Sequence, residues 1–221
     1  QVPAEIAPAW RKYFTMTYAA IKTHNVVRST AKMRFVFGLA HLVAESSRVN
    51  TFANVKEKLG EIQHMMQTME AFSAALIEGA SEDPETGFWH VNNDTAQLAC
   101  AWFGPFYARS IEILMDLSGG RLMSTPQKRT MDVLGPELEK YMTTKIGDNY
   151  ETTSLFRLVW DVCGSSWGVR QQLYEKFAVG NVGLRRMRDY DMFDKKDAIA
   201  MVERILHEPY TDERPYPLPK K

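Results

Sequence analysis

The chain of 221 residues carries 27 Lys and Arg residues against 27 Asp and Glu residues, so its formal net charge is zero. This balance excludes a general nucleic-acid binder and a basic protein of the membrane surface. Two cysteines, Cys100 and Cys163, cannot build a disulfide framework, which predicts a reducing, cytoplasmic compartment. No apolar run reaches the roughly 18 residues of a membrane span and no signal segment opens the sequence, so we expect no membrane association.

Metal ligands are not indicated by the sequence. The five histidines and two cysteines are scattered, and none has the spacing of a zinc site or of an HExxH motif. We therefore predict no metal. The sequence starts at Gln1, and we expect a fragment or a processed chain, with residues 1–8 and their two prolines as the end of a linker.

Apolar residues recur at alternating steps of three and four, which predicts long amphipathic helices. The first stripe consists of Val26, Thr30, Met33, Phe37, Ala40 and Ala44. The second consists of Val55, Leu59, Ile62, Met66, Met69, Ser73 and Leu76. The third consists of Leu98, Trp102, Phe106, Ser110, Ile113 and Leu117. Pro105 lies inside the third stripe and should kink or split its helix. The pattern predicts an all-α, antiparallel helical bundle over residues 9–208, without strands.

Other segments are less regular. Residues 121–136 are predicted to be irregular and residues 137–145 to form a short helix. Thr152 or Thr153 can cap the next helix, and Asp194 can cap the last one. Four prolines in residues 209–221 predict an extended or disordered arm.

One stretch, residues 161–177, stands out because small residues separate two helix-like segments. An apolar run with helical spacing leads into it. We predict a turn from Gly164 to Gly168 and a second helix from Arg170 to Phe177.

The turn has residues that suit an anion. Its glycines allow another group to approach the backbone closely, and Ser165 and Ser166 can cap the second helix. Free amides at the start of that helix would suit a phosphate. The alternative is an ordinary turn between two helices, because the spacing is neither GxGxxG nor that of a P-loop.

The amino-acid sequence of this stretch resembles that of the C-terminal helical domain in the 4-hydroxyphenylacetate 3-hydroxylase family. The matching residues are Asp161, Gly164, Gly168, Arg170, Gln172, Leu173, Tyr174, Glu175 and Phe177. A first core helix of that family is matched by His24, Arg28, Lys32, Phe35 and Gly38-Leu39-Ala40. Its central turn is matched by Ile111-Glu112-Ile113-Leu114, Asp116-Leu117, Gly119-Gly120 and Pro126. The likeness covers nearly the whole chain, in the family's order.

The resemblance implies a fold, an activity and partners. The fold would be that of the acyl-CoA dehydrogenase C-terminal domain. The activity would be that of a two-component aromatic monooxygenase, which hydroxylates a phenol-type substrate with O2 and reduced FAD or FMN. A flavin reductase would supply the reduced flavin, and the assembly would be a homotetramer. Only the C-terminal part of such an enzyme would be present, and the catalytic residues, unknown here, would come mainly from the N-terminal part.

The resemblance also implies which residues contact the flavin. These are Gly164, Ser165, Ser166 and Trp167, followed by Gly168 and Arg170. Arg28, one helical turn from His24, would face the cofactor of a neighbouring subunit, and Lys32 would extend the same positive strip. The other large aromatic residues are predicted to fill the core, namely Trp89, Trp102 and Trp160, with Trp167 as a further core candidate.

Two alternative functions remain open. The first is a 4-hydroxybutyryl-CoA dehydratase-like flavoenzyme, whose iron–sulfur cluster would need three cysteines and a histidine. No cysteine precedes Cys100, which weighs against it. The second is a helical assembly module without enzyme activity, which the long apolar stripes would serve equally well.

Overall fold

The computed structural model describes residues 7–178 and 180–207, with side chains from residue 20 onward. Its helices are α1 (Ala7–Ser46), α2 (Ala53–Glu78), α3 (Asn93–Ser118), α4 (Arg121–Ser124), α5 (Lys128–Met142), α6 (Asn149–Cys163), α7 (Ser166–Phe177), α8 (Val182–Met192) and α9 (Lys196–His207). Two strands, β1 (Ser81–Glu82) and β2 (Trp89–His90), pair antiparallel as a small hairpin. The predicted all-α class is confirmed, while the prediction of no strand misses this hairpin.

The first three helices pack against one another and form most of the core. α1 runs for 40 residues, or about 60 Å at 1.5 Å per residue. Its predicted stripe is buried, with Val26, Met33 and Ala40 almost fully removed from solvent. The predicted stripe of α2 is also buried at most positions, including Ile62 and Met69. The two stripes meet because the short loop between α1 and α2 turns the chain back on itself.

The buried face of α3 differs from the prediction in its first half. Leu98 and Trp102 are exposed, whereas Ala99 and Phe103 are buried. The two sets have the same helical spacing and lie one residue apart, so periodicity alone could not choose between them. Small residues on the buried side allow neighbouring helices to approach closely. Pro105 does not split the helix, which continues to Ser118.

Two further predictions of where helices begin were wrong. Residues predicted as irregular include α4 and the first half of α5, which passes through Pro136. The cap of α6 is Asp148, and Thr152 and Thr153 are buried inside the helix. Asp148 accepts hydrogen bonds from two amides of the first turn, and its own amide donates to the side chain of Glu151 at 3.0 Å. This reciprocal capping box satisfies donors that the helix cannot pair itself.

The chain divides into two compact units between Val182 and Gly183. The first unit holds α1 to α7, in which α6 and α7 pack on each other and on α3. The second holds most of α8 and the amphipathic α9, in whose first turn the amide of Lys196 donates to Asp194 at 3.0 Å. The predicted single domain over residues 9–208 and the predicted linker end stay predictions, although α1 already includes Pro8. The predicted arm over residues 209–221 lies outside the described residues.

Candidate functional site

The junction of α6 and α7 is shorter than the sequence predicts. α6 ends at Cys163 and α7 begins at Ser166, so only Gly164 and Ser165 lie between the two helices. The prediction that the turn continues to Gly168 and that the helix starts at Arg170 was wrong. The helix starts early because Ser165 caps it.

Ser165 connects the two helices through its side-chain hydroxyl. The hydroxyl accepts a hydrogen bond from the amide of Gly168 at 3.0 Å, which caps α7. The same hydroxyl donates to the carbonyl of Asp161, in the last turn of α6, at 2.8 Å. The end of α6 is further satisfied by Gln172, whose side chain donates to the carbonyl of Cys163 at 2.9 Å. Side-chain hydrogen bonds therefore stabilise both the end of α6 and the start of α7.

The two glycines have packing roles. A Cβ on Gly168 would lie 2.5 Å from the carbonyl oxygens of Asp161 and Val162, so glycine allows α7 to approach the end of α6. Gly164 has a φ of −123°, which other residues also adopt. A Cβ there would lie 2.9 Å from the Trp160 ring. Gly164 is thus required by a neighbouring side chain and not by its backbone angle.

The start of α7 presents several groups that suit a cofactor. The first two amides of the helix, those of Ser166 and Trp167, have no acceptor within the helix. The Ser166 hydroxyl and the Arg170 side chain are exposed beside them. Trp167 is 63% exposed, so its ring is accessible for stacking. These groups suit a ligand that combines an anionic group with an aromatic ring, and a flavin nucleotide is such a ligand. Their assignment to a flavin stays a prediction.

The prediction that tryptophans fill the core was wrong. The four described tryptophans are all exposed by more than two fifths, namely Trp89, Trp102, Trp160 and Trp167. The core is closed instead by aliphatic residues, methionines and phenylalanines such as Phe156. Size alone did not predict burial, because a large indole is rarely removed completely from solvent.

The predicted site residue Arg28 lies near the other end of α7. It binds Glu175, roughly 14 Å along the helix axis from Ser166 at 1.5 Å per residue. Arg28 Nη2 donates to Glu175 Oε2 at 2.8 Å, and Arg28 Nη1 and Lys32 Nζ both donate to Oε1. Gln171 donates to the same carboxylate at 2.8 Å. A flavin contact by Arg28 stays a prediction, and the structure does not bring Arg28 next to the α6–α7 junction.

Sequence reasoning matched Glu175 to the family motif but predicted no role for it, and its side chain is only 2% exposed. Burial opposes its charge, but hydrogen bonds from Arg28 and Lys32 outweigh that effect and hold the pKa of Glu175 below its usual value. Burial also lowers the pKa of Lys32, against the opposing effect of Glu175. The signal available in the sequence was the pair of cations four residues apart on α1, which predicts a shared anionic partner.

Cys163 is the last residue of α6 and adjoins the Gly164-Ser165 junction. The side chain is buried, and burial raises the pKa of its thiol to about 12. A thiol of that kind is a poor nucleophile.

Within residues 7–178 and 180–207, no group of three or more His, Cys, Asp and Glu side chains could hold a metal ion. None of the helices described there has the length and apolar character needed to cross a membrane.

The comparison with protein families gives a match along most of the chain. Residues 12–207 match the model described as the C-terminal region of 4-hydroxyphenylacetate 3-hydroxylase. The chain belongs to the 4-hydroxyphenylacetate 3-hydroxylase family. The resemblance inferred from residues 161–177 and from the first core helix is confirmed.

Curated relatives of the chain agree with this family membership. The chain is 30% identical over 187 residues to the oxygenase component of 4-hydroxyphenylacetate 3-monooxygenase from Thermus thermophilus, covering 84% of this chain and 39% of the relative. It is 26% identical over 196 residues to a probable 4-hydroxyphenylacetate 3-monooxygenase of Bacillus subtilis, covering 86% and 40%. The chain therefore spans about two fifths of the length of these relatives.

Solved structures share the fold. The crystal structure of the oxygenase component of 4-hydroxyphenylacetate 3-monooxygenase complexed with FAD superposes with a TM-score of 0.82 and 28% identity. The superposition covers 87% of this chain and 40% of the chain in the crystal structure. A 4-hydroxybutyryl-CoA dehydratase from N. maritimus superposes with a TM-score of 0.74 over 93% of this chain, at 18% identity, which shows the fold alone. The predicted bundle of the acyl-CoA dehydrogenase type is confirmed.

Proposed function

We propose that this chain is the flavin-binding and oligomerisation part of a reduced-flavin-dependent aromatic monooxygenase. The substrate is a phenol-type compound, the oxidant is O2, and a flavin reductase supplies reduced FAD, or FMN, in the cytoplasm. The family match over residues 12–207 carries the proposal. Relatives named as oxygenase components, and a solved relative complexed with FAD and 4-hydroxyphenylacetate, support it.

The role of this chain is to hold the flavin. Reduced flavin supplies the electrons that activate O2. The amides of Ser166 and Trp167 bind a phosphate oxygen, with the Ser166 hydroxyl and Arg170 beside them. The exposed Trp167 ring stacks on the adenine or the flavin ring. We assign no catalytic acid or base to this chain.

The assembly is a homotetramer in this proposal. The outward face of α7 exposes Val169, Leu173 and Phe177, each four residues from the next and therefore on one side of the helix. Such a ridge is typical of a surface that is covered by another subunit. The ridge begins at Val169, two residues after Trp167, so a neighbouring subunit on it would lie near the end of α7 that carries the proposed flavin contacts. Sedimentation of the intact protein at micromolar concentration tests this, and a monomer would contradict it.

The flavin assignment is tested by anaerobic titration of the intact protein with reduced FAD and with reduced FMN. Stacking of a nucleobase on an aromatic side chain contributes about 1–3 kcal/mol, so Trp167→Leu should weaken binding by at least about fivefold. Trp89→Leu is the matched control, because Trp89 is 69% exposed and lies on the β hairpin. Equal affinity of both variants and the parent protein would remove Trp167 from the flavin site.

A further inference from the structure

A cleft of about 490 Å³ opens beside α6, where the segment joining α4 to α5 crosses it. Its volume lies in the range of about 300–1,000 Å³ that is usual for small-molecule sites. The residues that line the cleft include Thr125, Pro126, Arg157, Trp160 and Asp161. None of the residues assigned to the flavin lines this cleft, so it requires its own explanation.

Arg157 is held in place at the cleft. Its Nε donates to the carbonyl of Pro126 at 3.0 Å, which links α6 to the α4–α5 segment and fixes the plane of the guanidinium. Among the residues that the structure describes, the two terminal nitrogens of Arg157 form no ion pair or hydrogen bond. A guanidinium fixed at one nitrogen and open at two others is suited to bind a carboxylate or phosphate with both.

Trp160 follows Arg157 by three residues and lines the same cleft, with 42% of its surface exposed. Its position depends on Gly164, because a Cβ there would approach the ring carbons Cζ3, Cε3 and Cη2 to between 2.9 and 3.3 Å. The glycine thus leaves space for the ring to lie against the end of α6. A flat indole held in this way is suited to stack on a planar ligand.

Asp161 completes the set of polar groups. It lies four residues from Arg157, hence on the same side of α6 and about one turn away. The two residues form no ion pair with each other among the described contacts, so the carboxylate can accept a hydrogen bond from a ligand. Thr125, on the facing segment, offers a hydroxyl, although that hydroxyl already donates to the carbonyl of Arg121.

We propose that this cleft is a second small-molecule site, for a planar aromatic ligand that carries an anionic group at one end and a hydroxyl or amino donor at the other. Arg157 binds the anion, Trp160 stacks on the ring and Asp161 accepts from the donor. Two kinds of compound share this chemistry: an adenine nucleotide and a phenolic acid. The site does not depend on the flavin assignment, because it is formed by other residues.

The test is calorimetric titration of the flavin-free intact protein with AMP and, separately, with 4-hydroxyphenylacetate. Binding that is lost in Arg157→Gln supports the site and identifies which of the two compounds it prefers, whereas binding that survives this change belongs to the proposed flavin or substrate site. Arg157→Gln should weaken binding at least tenfold, and Trp160→Leu should weaken it at least fivefold. Arg129→Gln is the matched control, because it removes the same charge from exposed α5 without altering the cleft lining.

Two further variants separate a ligand site from a packing feature. Gly164→Ala should weaken binding by displacing the Trp160 ring, although none of the residues that line the cleft is replaced. Asp161→Asn should reduce the preference for 4-hydroxyphenylacetate over phenylacetate, which lacks the hydroxyl donor. Absence of binding by both compounds, or equal binding by Arg157→Gln and Arg129→Gln proteins of unchanged melting temperature, overturns the proposal. Neither result bears on reduced-flavin affinity, which is measured separately.

Discussion

Glu175 of α7 binds Arg28 of α1 through both oxygens of its carboxylate. The two residues lie 147 positions apart in the chain, and Lys32 shares the same carboxylate. Arg28 also lies 5.1 Å from the centre of the Tyr174 ring. This cluster fastens α7, and with it the proposed flavin contacts, to the longest helix of the bundle.

Replacement of Glu175 should be strongly destabilising. Glu175→Gln leaves two partly buried cations, 23% and 25% exposed, without their anion. Removing one partner from a buried ion pair costs about 3–5 kcal/mol, and we expect the lower end because both cations retain some contact with water. Glu70→Gln is the control, since its bond to Arg34 is exposed and should be worth less than about 1 kcal/mol. Urea denaturation of both variants gives the comparison, and similar midpoints would contradict the expectation.

Stability in acid should also depend on Glu175. Because the folded-state pKa of Glu175 lies below the ordinary value of 4.5, its stabilising effect is complete above that value and is lost as the pH falls through the folded-state pKa. The difference in unfolding free energy between the parent protein and Glu175→Gln should therefore be constant from about pH 8 to about pH 6. It should shrink below about pH 4.5. A difference that grows with acid would mean that the carboxylate is not the ionised partner.

The close contact at Gly168 gives a sharp test of the helix junction. Gly168→Ala places a methyl group 2.5 Å from two carbonyl oxygens of α6, neither of which belongs to a flexible side chain. We expect a loss of about 1–3 kcal/mol, as for other overpacked sites. Gly60→Ala is the matched control, because nothing lies within 4 Å of its Cβ and alanine favours a helix interior by about 1 kcal/mol. The melting temperature should fall for the first variant and rise for the second.

Cys163 should react slowly with thiol reagents in the folded protein. Its pKa of about 12 leaves very little thiolate near neutral pH, and the side chain is buried. Labelling of a Cys100→Ser variant, which retains only this thiol, should accelerate sharply in denaturing urea. Rapid labelling in native buffer would show that α6 opens locally near the proposed flavin contacts.

The sequence predicted the helical stripes better in α1 and α2 than in α3. In α1 and α2 the predicted stripes are buried at most positions, although α1 also buries Val36, Leu39 and Val43, which were outside its predicted stripe. In α3 two adjacent faces are apolar, so the choice of buried face depended on neighbouring helices. At the α6–α7 junction the residue types were recognised, but the early start of α7 depends on the hydrogen bonds of Ser165. Glu175 could not be placed, since its partners are distant in sequence.

The two-residue length of the α6–α7 junction fixes the rotation of α7 about its own axis. One residue inserted after Cys163 would separate the Ser165 hydroxyl from the carbonyl of Asp161 and move Gly168 away from the end of α6. The position of Glu175 against Arg28 and the present position of Trp167 both depend on this spacing. We therefore expect the helix arrangement to tolerate substitutions that keep the two-residue length of the junction and to be disrupted by insertions or deletions there.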